Sequence, residues 1–216
     1  MKLFKYILFF FLPIWAFAQK PNYEFRAFFS PVYYNLETGM ESEYKFSYLF
    51  GVGALKNISK STALNVDISL SKRNYNQYDN TPNPLNWSTK EYQDSYTYID
   101  ISTKMSFTVI NKNVKLTINP GFVWSIEVNK ERISIDYGNN ATKGFWYKCD
   151  FTENPYYAYL GLGIKKNISN NVGLGLEPFF RYKLNQESVY SGKCPRDEGR
   201  FSYGISLIVV YFKGKK

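Results

Sequence analysis

The sequence predicts an all-β protein, an eight-stranded antiparallel up-and-down transmembrane β-barrel. Three observations carry that expectation. Apolar residues recur with period two from Pro21 onward, the connections alternate between short and long, and the polar face of the runs is built from small residues.

Taken in order, the runs fall near 22–34, 44–56, 61–73, 94–110, 114–130, 155–166, 171–184 and 200–212. In the third, Leu64, Val66, Ile68 and Leu70 oppose Ala63, Asn65, Asp67, Ser69 and Ser71. In the fourth, Ile99, Ile101, Met105, Phe107 and Val109 oppose Asp100, Ser102, Lys104, Ser106 and Thr108. The fifth sets Leu116, Ile118, Phe122, Trp124, Ile126 and Val128 against Lys115, Thr117, Asn119, Ser125 and Glu127. The seventh sets Leu174, Leu176, Phe180, Tyr182 and Leu184 against Gly173, Gly175, Glu177, Arg181 and Lys183. The last places Phe201, Tyr203, Ile205, Leu207, Val209 and Tyr211 on one face. No helical spacing fits these runs as well, and most exceed the roughly 9–11 residues a tilted strand needs to cross a bilayer. Short turns fall at 57–60, 111–113 and 167–170, and long polar segments at 35–43, 74–93, 131–154 and 185–199.

A weak internal repeat runs through two of the hairpins. Gly51-Val52-Gly53-Ala54-Leu55-Lys56-Asn57-Ile58-Ser59 recurs as Gly161-Leu162-Gly163-Ile164-Lys165-Lys166-Asn167-Ile168-Ser169. Duplication of a four-strand half and two independent solutions of one turn both account for it.

Composition removes several classes. Beyond residue 18 there is no apolar run of about 20 residues, which excludes a bundle of membrane helices. Aromatic residues make up 19% of the chain, which excludes intrinsic disorder. The net charge of +9 comes from dispersed lysines with no basic stripe, so nucleic acid is not the expected partner. Residues 1–18 read as a cleaved secretory signal: Lys2 and Lys5, an apolar stretch from Tyr6 to Phe17, then Ala16-Phe17-Ala18 before Gln19. Residues 19–216 then form the barrel domain. In an exported chain Cys149 and Cys194 are expected to pair as a structural disulfide, tying the third long loop to the fourth.

Period two alone does not separate a membrane barrel from a soluble periplasmic lipid-binding barrel, because both alternate. The polar face separates them. Gly, Ser, Thr and Asn suit the cramped interior of eight strands, and bulky Leu, Ile, Val and Phe suit acyl chains. The orientation of Leu64, Leu174 and Leu207 is the test. Tyr23, Tyr33, Tyr75, Tyr96, Trp124, Tyr156, Tyr182, Tyr203 and Tyr211 lie near strand ends and are expected in headgroup girdles.

With its signal ending at Ala18-Gln19, its paired glycines at Gly51/Gly53 and Gly161/Gly163, and its amphipathic last strand, the chain resembles the small outer-membrane β-barrel proteins of Bacteroidota. The resemblance implies the outer membrane of a Gram-negative bacterium and insertion by the barrel-insertion machinery. Such proteins often finish on an aromatic residue, whereas here Phe212 is followed by Lys213-Gly214-Lys215-Lys216.

Arg26, Asp67, Asp100, Lys104, Glu127, Glu177 and Arg181 are expected to project into the lumen as a polar network. Unpaired charge is costly there, so Asp67 should meet Lys104, and Glu177 should meet Arg181 or Arg26. The network would act as a plug; a narrow pore is the competing reading. No enzymatic activity is expected. Barrels resembling lipid A acyltransferases, lipid A deacylases or omptin proteases rely on a histidine, and this chain has 0. Loop carboxylates Asp136, Asp150, Glu153, Asp197 and Glu198 read as solvated surface, and the N-x-S/T strings at Asn57, Asn86, Asn140 and Asn167 as turn chemistry. No cofactor or metal is expected. The expected partners are outer-membrane lipid and lipopolysaccharide. Another envelope protein is a further expectation, through the Tyr/Asn/Trp-rich loops at 74–93 and 137–156, which read equally as a self-packed cap. The expected role is structural, adhesive, or that of an accessory subunit.

Overall fold

A computed structural model describes residues 23–36, 41–44, 46–79, 90–136, 143–148, 154–185 and 198–212. Its strands are β1 (Tyr23–Leu36), β2 (Glu41–Tyr44), β3 (Ser47–Asn57), β4 (Thr62–Asp79), β5 (Lys90–Asn111), β6 (Lys115–Asp136), β7 (Lys143–Lys148), β8 (Tyr156–Asn167), β9 (Val172–Lys183) and β10 (Glu198–Phe212). Eight of them close a barrel in the order β1-β3-β4-β5-β6-β8-β9-β10, with β10 returning to β1 and every pairing antiparallel. The two short strands are additions at one end. β2 prolongs the line of β3 along β4, and β7 prolongs the line of β8 along β6. The signal segment 1–18, Cys149 and Cys194 lie outside the described residues.

The strand ends are where expectation and structure part. The sequence pattern predicts loops at 74–93 and 131–154, yet the β4–β5 ladder runs unbroken from Thr62↔Phe107 to Asp79↔Lys90, and β6 continues to Asp136. Above the bilayer a strand no longer needs an apolar outer face. The period-two signal therefore fades while the hydrogen-bonded ladder goes on.

That fading marks the membrane boundary. On the outside of β4, Val66, Ile68 and Leu70 give way to Lys72 and Asn74; on β5, Ile99 gives way to Thr97 and Ser95. On β6, Phe122 and Trp124 give way to Asn129 and Glu131. The ends of the described chain, Tyr23 and Phe212, and the turns 58–61, 112–114 and 168–171 share the other end, which in a barrel of this kind faces the periplasm. Wherever the chain crosses the bilayer, bulk is outside: Leu174 is 47% exposed and Leu207 53%, with Leu64 on the same outward face, whereas Asp67 and Asp100 are each 1% exposed. A soluble barrel would reverse this.

Two details show how the wall tolerates its own sequence. Pro31, Pro120 and Pro178 sit mid-strand, and each coincides with a lapse in one ladder: β1–β10 after Phe29↔Leu207, β5–β6 after Lys104↔Gly121, and β8–β9 after Gly161↔Phe179. Proline offers no N–H, so these are the positions where a ladder bond is missing. The repeated hairpins use one turn. Ile58 and Ser59 N–H donate to the Thr62 carbonyl at 2.9 and 3.0 Å, and Ile168 and Ser169 N–H donate to the Val172 carbonyl at the same distances. The Ser59 and Ser169 hydroxyls accept from the N–H of Thr62 and Val172 at 3.0 and 3.1 Å.

Candidate functional site

The lumen holds the chemistry, in two layers. In the lower one, Arg26 Nε donates to Asp67 Oδ1 at 2.6 Å, and its Nη2 pairs with Asp67 Oδ2. Arg26 Nη1 lies 3.7 Å from Glu177 Oε2. Lys104 Nζ bridges the two acids, 3.2 Å from Asp67 and 3.4 Å from Glu177. The remaining acceptor positions are filled by Ser102 donating to Asp67 at 2.9 Å, Asn119 Nδ2 donating to Glu177 at 3.0 Å, and the Tyr159 hydroxyl donating to Glu177. Two cations face two anions, with hydrogen bonds on the oxygens they leave over, as buried charge requires.

The glycine pairs of the repeat make room for this layer. Gly53 stands in register with Asp67, and a Cβ there would overlap its carboxylate. A Cβ at Gly161 would lie 2.8 Å from Glu177 Oε1, and one at Gly163 would strike Thr117 Oγ1. Each G-x-G therefore clears the lumen beside one of the two acids.

The upper layer is built differently. Asp100 accepts from Arg181 Nη1 at 2.7 Å and from Ser125 Oγ at 2.6 Å, with Arg73 Nη2 3.6 Å away. Arg73 is fully buried. Its guanidinium stands 3.9 Å from the Tyr98 ring centroid, 4.8 Å from Tyr34 and 5.5 Å from Tyr157, and it donates to Tyr157 Oη at 2.8 Å and Ser125 Oγ at 3.0 Å. The ring faces stabilise this guanidinium's charge. Tyr75 and Tyr96 link the cage rings Tyr34 and Tyr98 into one series, edge to face and stacked, at 5.7 to 6.4 Å between centroids.

Of the residues expected in the network, Arg26, Asp67, Lys104 and Glu177 meet in the lower layer, and Asp100 and Arg181 meet in the upper. Glu127 is half-buried at a β-bulge, accepting from the Tyr98 hydroxyl at 3.5 Å. The expected Glu177–Arg181 couple is not the one formed: four residues apart on one strand, these side chains are separated by about 13 Å of rise, so Arg181 crosses the lumen to Asp100 instead. Tyr75 and Tyr96, expected in the girdle, point inward and are 2% and 3% exposed. Tyr75 lies on the extension of β4 and Tyr96 near the start of the expected 94–110 run; the phase carried up from Asp67 and Asp100 puts both inside. Sequence reasoning misses Arg73 for a related reason. It follows Asp67, Ser69 and Ser71 in strict phase, but it closes the expected strand beside a segment that reads as loop. The outward rings Trp124 and Tyr156 do pair at the outer boundary, 6.1 Å apart and nearly parallel, as do Tyr33 and Tyr203 at 4.8 Å.

At the periplasmic mouth Lys165 Nζ meets Glu24 Oε2 at 2.6 Å and covers the Phe212 ring at 4.7 Å. Between this bridge and the lower layer lies a cavity of about 50 Å³ bordered by Lys115, Asn65 and Asn119, room for a few waters.

An apolar outer band, aromatic rings at its edges and a closed polar lumen define an integral outer-membrane β-barrel. Solved outer-membrane barrels align with the chain. A major outer membrane protein from Thermus thermophilus aligns with a TM-score of 0.54 at 12% identity, over 88% of this chain and 99% of that one. Neisserial surface protein A aligns at 0.45 and 11% identity, over 88% of this chain and 96% of that one. The outer membrane protease OmpT of Escherichia coli aligns at 0.40 and 9% identity, over 91% and 98%. The likeness to the Thermus protein is one of fold alone. No protein-family model matches the chain, and no curated protein matches its sequence.

Proposed function

We propose that this chain is a plugged outer-membrane barrel without enzymatic activity, serving a structural or adhesive role or as an accessory subunit of an envelope complex. The carrying observation is the filled lumen: two ion-paired layers, one above the other, with tyrosine rings over the upper one. The absence of histidine from the sequence supports the non-enzymatic part. The strand extensions support the adhesive part, since β4, β5 and β6 rise past the outer boundary and hold the ends of the Tyr/Asn/Trp-rich segments away from the lipid. The Bacteroidota type rests on the signal and the paired glycines, and lipopolysaccharide remains the expected neighbour at the outer leaflet. Single-channel recording in planar bilayers tests the plug. The expected trace shows no pore-sized openings; sustained ohmic steps would replace this reading with that of a narrow pore. Mass spectrometry of proteins retained by gently solubilised membranes tests the accessory role.

A further inference from the structure

The lysines are scattered along the chain, but the topology gathers them. Lys56 lies one residue before the end of β3, Lys60 in the β3–β4 turn, Lys112 in the β5–β6 turn, and Lys166 near the end of β8, all at the periplasmic rim. Lys115 and Lys165 stand just inside it. Among the described residues the acid at this end is Glu24, already bridged to Lys165 at 2.6 Å. Lys56, Lys60, Lys112 and Lys166 have no ion-pair partner among the described residues. The outer end is mixed in sign, with Glu91, Asp94 and Glu131 among Lys72, Lys130 and Lys183. Among the described residues the net positive charge is therefore polarised toward one leaflet.

We infer that the periplasmic rim is a docking surface for anionic phospholipid of the inner leaflet, its phosphates held by Lys56, Lys60, Lys112 and Lys166. Position decides between lipid and other polyanions. Lys56 and Lys166 face outward at the foot of the apolar band, in register with Leu64 and Leu174. An ammonium at that height reaches the headgroup plane while its methylenes lie along the hydrocarbon. A shallow apolar groove adjoins Lys166, running over Leu174, Val209, Ala27 and Val52, which are successive register partners across β9, β10, β1 and β3. The small Ala27 between bulky Phe25 and Phe29 deepens it. Groove and lysine together match an acyl chain ending in a phosphate.

The test uses the exported chain in detergent, mixed with dioleoyl-phosphatidylglycerol or dioleoyl-phosphatidylcholine, with native mass spectrometry reading the lipids retained. Phosphatidylglycerol should be held in preference, the preference falling as ionic strength rises. Lys→Gln changes at 56, 60, 112 and 166 together should abolish it, each lysine contributing up to roughly fivefold. Lys72→Gln, at the outer boundary, should leave it intact. A heat-dependent gel shift checks that each variant folds; if the fourfold variant does not, K56Q/K166Q and K60Q/K112Q carry the same comparison. Equal retention of the two lipids, or a fourfold variant that still prefers phosphatidylglycerol, overturns the proposal. So does capture of the wild type, but not the variant, by isolated peptidoglycan when the lipid preference is flat.

Discussion

The lower and upper layers of the lumen hold similar charges by different means, and the contrast shows how a narrow barrel accommodates them. Below, Arg26 and Lys104 share Asp67 and Glu177, and glycines on the neighbouring strands clear the space for the acids. Above, Arg73 and Arg181 both reach Asp100, and tyrosine faces fill the volume that glycine leaves open below. Loss of one acid should therefore be tolerated better below than above. Loss of Asp67 leaves Glu177 facing the same two cations, whereas loss of Asp100 takes from Arg181 the one carboxylate it pairs with among the described residues.

The largest expected effect follows from that. Asp100→Asn removes the upper layer's carboxylate, and urea unfolding in lipid vesicles should show a loss of about 3–5 kcal/mol. Next comes a change on the opposite face of the wall. Ile68→Lys puts a charge against acyl chains one residue from Asp67, and should cost about 2–4 kcal/mol in the same assay; a neutral result would place residue 68 away from the bilayer core. Asp67→Asn should cost less than Asp100→Asn, about 2 kcal/mol, because Glu177 still faces both cations. Equal losses for the two would erase the distinction between the layers. The smallest effect belongs to the aromatic contribution. Tyr98→Leu should destabilise by about 1–2 kcal/mol through the lost ring face over Arg73, and should lose little if the Arg73 charge is already removed by Arg73→Met.

Much of the barrel is legible from residues 61–73, 94–110, 171–184 and 200–212, where alternation is strict and one face is lipid. The candidate site is legible in part. Asp67, Asp100, Lys104 and Glu177 stand out as charges on an otherwise small and polar face, and their inward direction follows from the pleat. Arg73, Tyr75 and Tyr96 do not stand out, because they lie where the outer face turns polar and the apolar marker of phase is lost. The paired glycines read as part of a turn motif; that they clear space beside two carboxylates depends on residues from other strands.

Alternation by itself determined the all-β class and which residues share a face, because both follow from local geometry repeating every second residue; the small polar side chains of one face assigned it to the lumen, and the lengths of the connections placed the short turns at one end. Only the closed tertiary structure decided which charges meet across the lumen, which tyrosines line it, and that scattered lysines converge on one rim. Those outcomes depend on register between strands and on closure, which bring together residues distant along the chain and so leave no signature in any single segment.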